Sequence, residues 1–276
     1  MQEIEIGLHW VAVSLYALSS VLLAAGLIFQ RERLVRLGVR VAAFGFIFHS
    51  AALGVRWIEA GHGPYLRRYE VYSSTVWVLV GAYLLAVWRR PALGPLGALV
   101  MPVAFLLIGM GVMSSPEIRA LPPTFRNFWL PVHIIFAKLA FGGCLIGTGL
   151  GGIYLLKKRA GAYAPVYARL PELEVLDELS YRTIAFGFIA LGVMIVAGAI
   201  WANSAWGRYW GWDPVETWSL ISWVVYGIYL HLRRMHGWRG AKAAWFTVVA
   251  LLLLVFALFG LGVVYPGSEH SPYLSG

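Results

Sequence analysis

Cysteine is all but missing from this chain: Cys144 is the only one among 276 residues. A single thiol excludes an internal disulfide, a Cys-x-x-Cys redox pair and a cysteine-built zinc site, so the chain passes no electrons through thiols of its own. Cys144 lies inside an apolar run and reads as a small packing residue. Charge is scarce as well, at 13% of residues, and acid is scarcer than base, with 13 Asp and Glu against 22 Lys and Arg. All 13 acids fall in loops or close to helix ends, whereas proton-coupled transporters keep carboxylates inside the membrane. No internal repeat, low-complexity tract or soluble domain is visible, and the longest polar stretch covers only residues 157–181.

What remains is apolar. The chain is 60% hydrophobic with a mean hydropathy of +0.72, beyond what a soluble core requires. Crossing a hydrocarbon layer of about 30 Å takes roughly 20 residues of helix. Runs of that kind fall near 6–29, 36–58, 71–88, 93–113, 132–156, 182–202, 217–232 and 243–265. The expected fold is therefore an all-α polytopic membrane protein, a bundle of about eight transmembrane helices forming a single domain over 1–276.

Lys and Arg gather in short cytoplasmic loops. Fourteen of them, including Arg31, Arg33, Arg89, Arg90, Lys157, Lys158, Arg233 and Arg234, fall in one set of alternate loops, against five in the other: Arg67, Arg68, Arg119, Arg126 and Arg208. Both termini are expected outside the cytoplasm. With Glu3 and Glu5 and no early base, the first run does not resemble a cleaved signal. The net charge of +9 follows from this topology and calls for no nucleic acid; an anionic membrane surface suits such loops. Residues 157–181, with Leu170, Leu173, Leu176 and Leu179 among acids, are expected to form a cytoplasmic amphipathic connector of structural role.

Residues 206–218 read Trp-Gly-Arg-Tyr-Trp-Gly-Trp-Asp-Pro-Val-Glu-Thr-Trp. Aromatics do collect at membrane interfaces because their rings suit that layer. This density, with glycines between the rings, points further, to a platform for a flat apolar ligand over an extracytoplasmic loop at 203–217. Asp213, Pro214 and Glu216 have the spacing of a capping box, so the two acids read as a helix start that fixes Trp210 and Trp212. His133 and His270 are expected on the same side as the platform. Two imidazoles flanking a flat apolar surface suit an iron porphyrin. His231 lies about 20 Å along a helix from Trp218 and is an intramembrane candidate. His49, deep in the second run, is either a ligand or a packing residue. His9, His62 and His236 are weaker candidates. Arg67, Arg68, Arg126 and Arg208 are candidate partners for anionic substituents of a ligand.

The tract from Trp201 through Trp206, Trp210, Trp212 and Asp213 to Trp218 resembles the WWD signature of haem-handling proteins, and specifically the CcsA (ResC) family of cytochrome c biogenesis. The likeness extends to Tyr229-Leu230-His231, to Leu176 through Arg182, and to His49, Arg56, Trp57, Gly61, His62 and Tyr69-Glu70. The resemblance implies haem b as cofactor. His133 and His270 would be external ligands of haem iron, and His231 a ligand at an internal position. Trp206, Trp210, Trp212, Asp213 and Trp218 would form the haem-binding tract, and His49 is carried as a further candidate. It implies haem transport across the membrane and presentation to apocytochrome c, at its Cys-x-x-Cys-His segment, as the CcsA subunit of a CcsBA-type synthase. A CcsB (ResB) membrane partner and, indirectly, a thiol-reducing system would accompany it, in a cytoplasmic or thylakoid membrane with the active face outside. The chain would be the haem-presenting subunit of that lyase, aligning reactants by proximity; whether it counts as an enzyme by itself stays open. The alternatives are CcmC-like delivery of haem to a chaperone and a secondary transporter of another small molecule.

Overall fold

Helix formation follows directly from the solvent these residues meet: within hydrocarbon, every backbone N–H and C=O must be satisfied inside its own segment. The structure, a computed structural model, describes residues 1–160 and 165–264, and among them the regular elements are all helical. They are α1 (Gln2–Ile28), α2 (Glu32–Ala60), α3 (Arg68–Arg89), α4 (Gly97–Val112), α5 (Trp129–Ala160), α6 (Pro165–Ala168), α7 (Leu173–Trp206), α8 (Pro214–Met235), α9 (Ala241–Val255) and α10 (Leu261–Val264). A 3₁₀ turn, Pro91–Leu96, leads into α4, and a π-helical turn, Phe256–Gly260, joins α9 to α10. Seven helical stretches among the described residues are long and apolar enough to cross a membrane, and the chain is an all-helical polytopic membrane protein. The eighth long helix, α8, falls short because it carries Glu216 at one end and Arg233 and Arg234 at the other.

The sequence differs from this structure at the connector. Among the described residues of 157–181 there is no separate amphipathic helix: α5 continues to Ala160, α6 is a single turn, and α7 begins at Leu173 and runs unbroken for 34 residues. Leu176 is fully buried and Ser180 nearly so, Ser180 donating to the carbonyl of Gly147 at 2.8 Å. Glu174 and Glu178 sit away from the buried face of this continuous helix, whereas Asp177 turns toward α8.

The chain forms two compact units. The first comprises 1–120 and 156–173, the second 121–155 and 174–276. In the first, α1 packs along α2 and α4, and α3 packs on α2 and α4. Large apolar side chains such as Ile47, Leu106, Ile189 and Leu252 remain exposed on the helices of both units, as lipid-facing positions do.

The second unit is assembled on glycine. Gly143, Gly147 and Gly151 recur every fourth residue along one face of α5. A Cβ at Gly143 would lie 3.2 Å from the Cα of Gly187, one at Gly147 would lie 2.7 Å from the Ile184 side chain, and one at Gly151 would lie 3.3 Å from Ala244. Small residues at this spacing let membrane helices approach backbone to backbone, where dispersion replaces the missing hydrophobic drive. Cys144 belongs to this seam, fully buried beside Gly187 and within a core of Ile184, Leu191, Met194, Tyr226, Tyr229 and Leu254. At the far end of the unit, the Arg233 guanidinium donates to both oxygens of Asp177 at 2.8 Å and stacks over Tyr181, while Asp177 also accepts the N–H of Gly240. That bidentate pair ties α7, α8 and the start of α9 together.

Gly147→Leu is expected to lower the stability of the detergent-solubilised protein by at least about 1–3 kcal/mol, the cost of overpacking a tight contact. Gly152→Leu, where a Cβ meets nothing within 4 Å, is expected to stay within about 0.5 kcal/mol of the parent. Paired thermal-unfolding curves check both.

Candidate haem-handling site

The ends of α5 and α7 and the start of α8 meet in the second unit. His133 lies one turn into α5, and its Nδ1 is 2.8 Å from the carbonyl oxygen of Met194 on α7. A carbonyl only accepts, so Nδ1 carries the proton and the lone pair of the neutral ring lies on Nε2. Such a second bond fixes the tautomer of a metal-binding histidine and raises its basicity. The ring reaches this position because residue 198 is glycine: a Cβ there would stand 2.6 Å from Nδ1.

Next to His133 is a small cleft lined by Met194, Gly198, Trp201, Tyr209, Trp210, Glu216 and Ser219. Its floor is Trp201, 4% exposed, which donates from Nε1 to the Thr124 carbonyl at 3.2 Å and meets Phe125 and Trp206 edge to face. Trp201 was visible in the tract, but its anchor, the 3₁₀ turn Pro123–Phe125, was not. Pro122-Pro123 is the signal that a rigid turn lies there.

The loop proper is 207–213, shorter than the expected 203–217, because α7 extends through Trp206 and α8 starts at Pro214. Its far end is held as the sequence suggests. Asp213 accepts the N–H of Val215 at 2.8 Å, and Glu216 Oε2 accepts the N–H groups of Gly211 at 2.8 Å and Asp213 at 3.2 Å. Both carboxylates are spent on orphan backbone donors at the helix start. Asp213 is itself buried, so it positions the loop rather than facing a ligand.

Trp212 is strained and open. Its φ of +58° puts a bulky residue in the left-handed region, a conformation that costs about 1–3 kcal/mol and persists only where surrounding bonds impose it. The side chain is 70% exposed and meets Trp210 edge to face at 5.7 Å. The capping box thus holds a large flat ring outward. Arg208 is also exposed, and its guanidinium lies where a Cβ of Gly211 would be.

Not every candidate converges here. Trp206 packs on Trp201 at the edge of the cleft, and Trp218 turns toward Phe256, 4.8 Å away. His231 lies near the opposite end of α8, exposed, its ring 5.5 Å from that of His236; sequence reading gave His236 little weight, although five residues along a helix end can bring two rings together. His49 is in the first unit, fully buried, with Nε2 at 2.9 Å from Ser73 Oγ and Nδ1 at 3.2 Å from Tyr16 Oη. Both of its nitrogens are engaged. Arg67 and Arg68 also belong to the first unit, Arg67 facing Glu117 at 3.7 Å, whereas Arg126, exposed beside Phe125, shares the second unit with Arg208. His270 lies outside the described residues.

A second concavity in the same unit is a groove of about 560 Å³ lined by Trp129, Phe188, Gly192, Val196, Leu220 and Trp223. Phe188 and Trp223 are stacked at 4.9 Å, and the Trp223 Nε1 is buried without a hydrogen-bond partner. Leu220 precedes His231 by eleven residues, close to three full turns, so the two share a face of α8.

A family model described as cytochrome C assembly protein matches residues 96–268. The cytochrome c biogenesis protein CcsA of Guillardia theta is 32% identical over 273 residues, covering 91% of this chain and 90% of its own. That of Synechococcus sp. (strain CC9605) is 33% identical, with 85% of each chain covered, and that of Chlamydomonas reinhardtii is 35% identical over 77% of this chain and 62% of its own. Among solved structures, the cytochrome c haem lyase CcmF superposes on 99% of this chain with a TM-score of 0.63 at 16% identity. The chain spans about half of that protein, 53%, and the likeness establishes a shared fold. Matched over more than half its length by the family model and along nine-tenths of it by a relative above 30% identity, the chain belongs to the CcsA family of cytochrome c assembly proteins.

Proposed function

We propose that this protein receives haem b within the membrane and presents it outside the cytoplasm to apocytochrome c for covalent attachment. The observation that carries the reading is the orientation of His133: its Nδ1–H is committed to Met194, so the lone pair is on Nε2, beside a strained and exposed aromatic shelf. A porphyrin supplies its own equatorial nitrogens, so iron here asks the protein for axial ligands alone. Haem is the cargo of this site, and the chemistry it brings is the reactivity of its vinyl groups toward thiols.

His133 and His270 are assigned as the two axial ligands at the shelf, with Trp210 and Trp212 against the ring and Trp206 and Trp218 supporting the platform from either side. Asp213 and Glu216 hold the platform in shape. Arg208 and Arg126 are exposed cations of this unit that can serve the propionates. His231, with Leu220 on the same face of α8 and the apolar groove above it, marks the internal position and the route outward; an apolar groove of a few hundred cubic ångströms suits a porphyrin-sized body. His49 is left out of the haem site because its ring is fully engaged. The chain's contribution to thioether formation is alignment of thiols beside vinyls, which removes the entropic part of the barrier. A CcsB partner would complete the complex, and the thiols would arrive reduced by a separate system. By charge bias the shelf lies outside the cytoplasm, with both termini.

The alternative of CcmC-like delivery shares every step up to presentation. A CcmC-like chain would load haem without yielding holocytochrome, so the yield of covalent product in cells separates the two. A transporter of another solute would bind no haem.

Purified with its partner from haem-replete cells, the protein is expected to show a low-spin bis-histidine spectrum that His133→Ala abolishes at the shelf. A colourless parent protein would overturn the reading. Gly198→Ala is expected to weaken haem retention about 10- to 100-fold, the range seen when a ligand's supporting bond is lost. Gly142→Ala, where a Cβ meets nothing within 4 Å, is expected to retain haem normally; both are measured by haem-to-protein ratio.

A further inference from the structure

The first unit contains a set of polar side chains that haem handling does not use. Glu5, His9 and Tyr16 on α1, His49 and Arg56 on α2, and Tyr69, Glu70 and Ser73 on α3 are all at most 3% exposed. Groups of this kind inside a membrane bundle are costly and mark function more often than packing. Their geometry is ordered. Tyr69 Oη donates to Glu5 Oε1 at 2.7 Å; Tyr69 Oη and His9 Nδ1 are 3.0 Å apart; His9 Nε2 and Ser73 Oγ are 2.7 Å apart; Ser73 Oγ and His49 Nε2 are 2.9 Å apart; and His49 Nδ1 and Tyr16 Oη are 3.2 Å apart.

One assignment of protons satisfies all five links. Tyr16 donates to His49 Nδ1, His49 Nε2–H to Ser73, Ser73 to His9 Nε2, His9 Nδ1–H to Tyr69, and Tyr69 to Glu5. Each group along the line between the two ends both accepts and donates, and each histidine uses its two nitrogens for the two directions. Ser73 is the sole bridge between the two imidazoles, whose centroids are 5.5 Å apart. From Glu5 to Tyr16 the line covers eleven residues of α1, about 16 Å at the rise of a helix, or about half of a hydrocarbon layer.

The outer end has a charge imbalance that suits a proton acceptor. Arg56 is held by Glu70, with Nε at 3.0 Å and Nη2 at 2.9 Å from Oε1, and by the carbonyls of Pro116 and Glu117. Glu70 Oε2 takes the N–H of Leu66. Glu5 has the Arg56 guanidinium no nearer than 3.6 Å and His9 Nδ1 at 3.3 Å from Oε1, and its Oε2 is buried with no hydrogen-bond partner. Two buried carboxylates thus share one guanidinium. The helix α4, which packs on α1 and α3, brings no titratable side chain, so a proton on this line is what neutralises the excess charge.

We propose that Glu5–Tyr69–His9–Ser73–His49–Tyr16 is a proton relay connecting the Glu5 end of the first unit with the interior of the membrane. In one passage Tyr69 gives its proton to the Glu5 carboxylate and takes one from His9 Nδ1. His9 Nε2 takes the Ser73 proton, Ser73 takes that of His49 Nε2, and His49 Nδ1 takes that of Tyr16. Tyr16 and Glu5 are both buried, so each end opens transiently: a hydronium ion reprotonates Tyr16 and Glu5 releases its proton to water, and one proton moves the length of the line with no group changing its net charge. Rotation of the two bridging hydroxyls and of Tyr16, with flips of the two imidazole rings that exchange the positions of their nitrogens, resets the line. The relay stands independently of where haem binds.

The test is infrared difference spectroscopy of the full chain in lipid bilayers, with deuterium exchange followed at the histidine and tyrosine bands. A protonated-carboxyl band on acidification, absent from Glu5→Gln, is expected. In Ser73→Ala the exchange of the His9 and Tyr69 protons should slow at least about tenfold while that of His49 and Tyr16, still joined to the entry end, does not, and Ser73→Thr should restore it. Tyr16→Phe keeps the ring packing and should slow exchange at His49, which keeps the test open if Ser73→Ala does not fold. A network that only packs helices would show the parent's exchange rates in Ser73→Ala and Tyr16→Phe, or no Glu5 band, and either result overturns the relay.

Discussion

The close approach of α5 to α7 is the constraint on which the site depends. In a membrane, two apolar helices gain little by hiding from their surroundings, so contact must come from backbone proximity. Gly143, Gly147 and Gly187 provide it, and Gly198 extends the same opening to the end of the seam, where the imidazole of His133 fits against α7. The hydrogen bond to Met194 then does two things at once: it holds the ring and it chooses which nitrogen carries the lone pair. A bulkier residue at 198 would alter the chemistry of His133 without touching His133 itself. From there outward the platform is fixed by a second device, the capping box at the start of α8, whose bonds impose the unusual backbone of Trp212. Helix packing orients His133 and helix capping orients the aromatic surface.

The two units handle polarity in opposite ways. In the second, polar groups gather at the ends of helices: the capping box at one, the Arg233–Asp177 pair at the other, with an apolar seam between. In the first, a file of titratable groups runs inward from one end, closed off from solvent and satisfied almost throughout by its own members. Groups of such cost, bonded in one continuous sense, are arranged for movement of protons as readily as for rigidity. Glu5 marks the difference, since a network evolved only for packing has no reason to keep a carboxylate oxygen buried and unmatched.

Much of this was legible in residue order because the signals were local. The apolar runs placed most of the long helices to within a few residues, although α7 begins nine residues before its run at 182–202; the Asp213-Pro214-x-Glu216 spacing announces the helix start, and Cys144 reads as packing. The tract from Trp201 to Trp218 together with His231 pointed to the family. What was not legible depended on contacts between distant segments. Leu173 to Tyr181 has an amphipathic pattern, yet nothing in it says that the helix continues straight into the apolar run that follows. The sequence puts the acids in loops or close to helix ends and does not show that Glu5 and Glu70 are turned inward onto Arg56 by the packing of three helices. His9 and His49 are 40 residues apart, and only the interposed Ser73 of α3 makes them one line. His133 was found from its place in the topology, but its tautomer, and the part played by Gly198, came from the geometry of α7.

The central claim concerns which atom of His133 meets the cargo, so the most direct measurement is the position of iron in haem-loaded protein, located by electron cryo-microscopy of the chain with its partner. The account predicts iron at bonding distance from His133 Nε2, with Nδ1 still against the Met194 carbonyl and the porphyrin over Trp210 and Trp212. Iron bound through Nδ1, or haem held on the second unit with His133 turned away from it, would contradict the account.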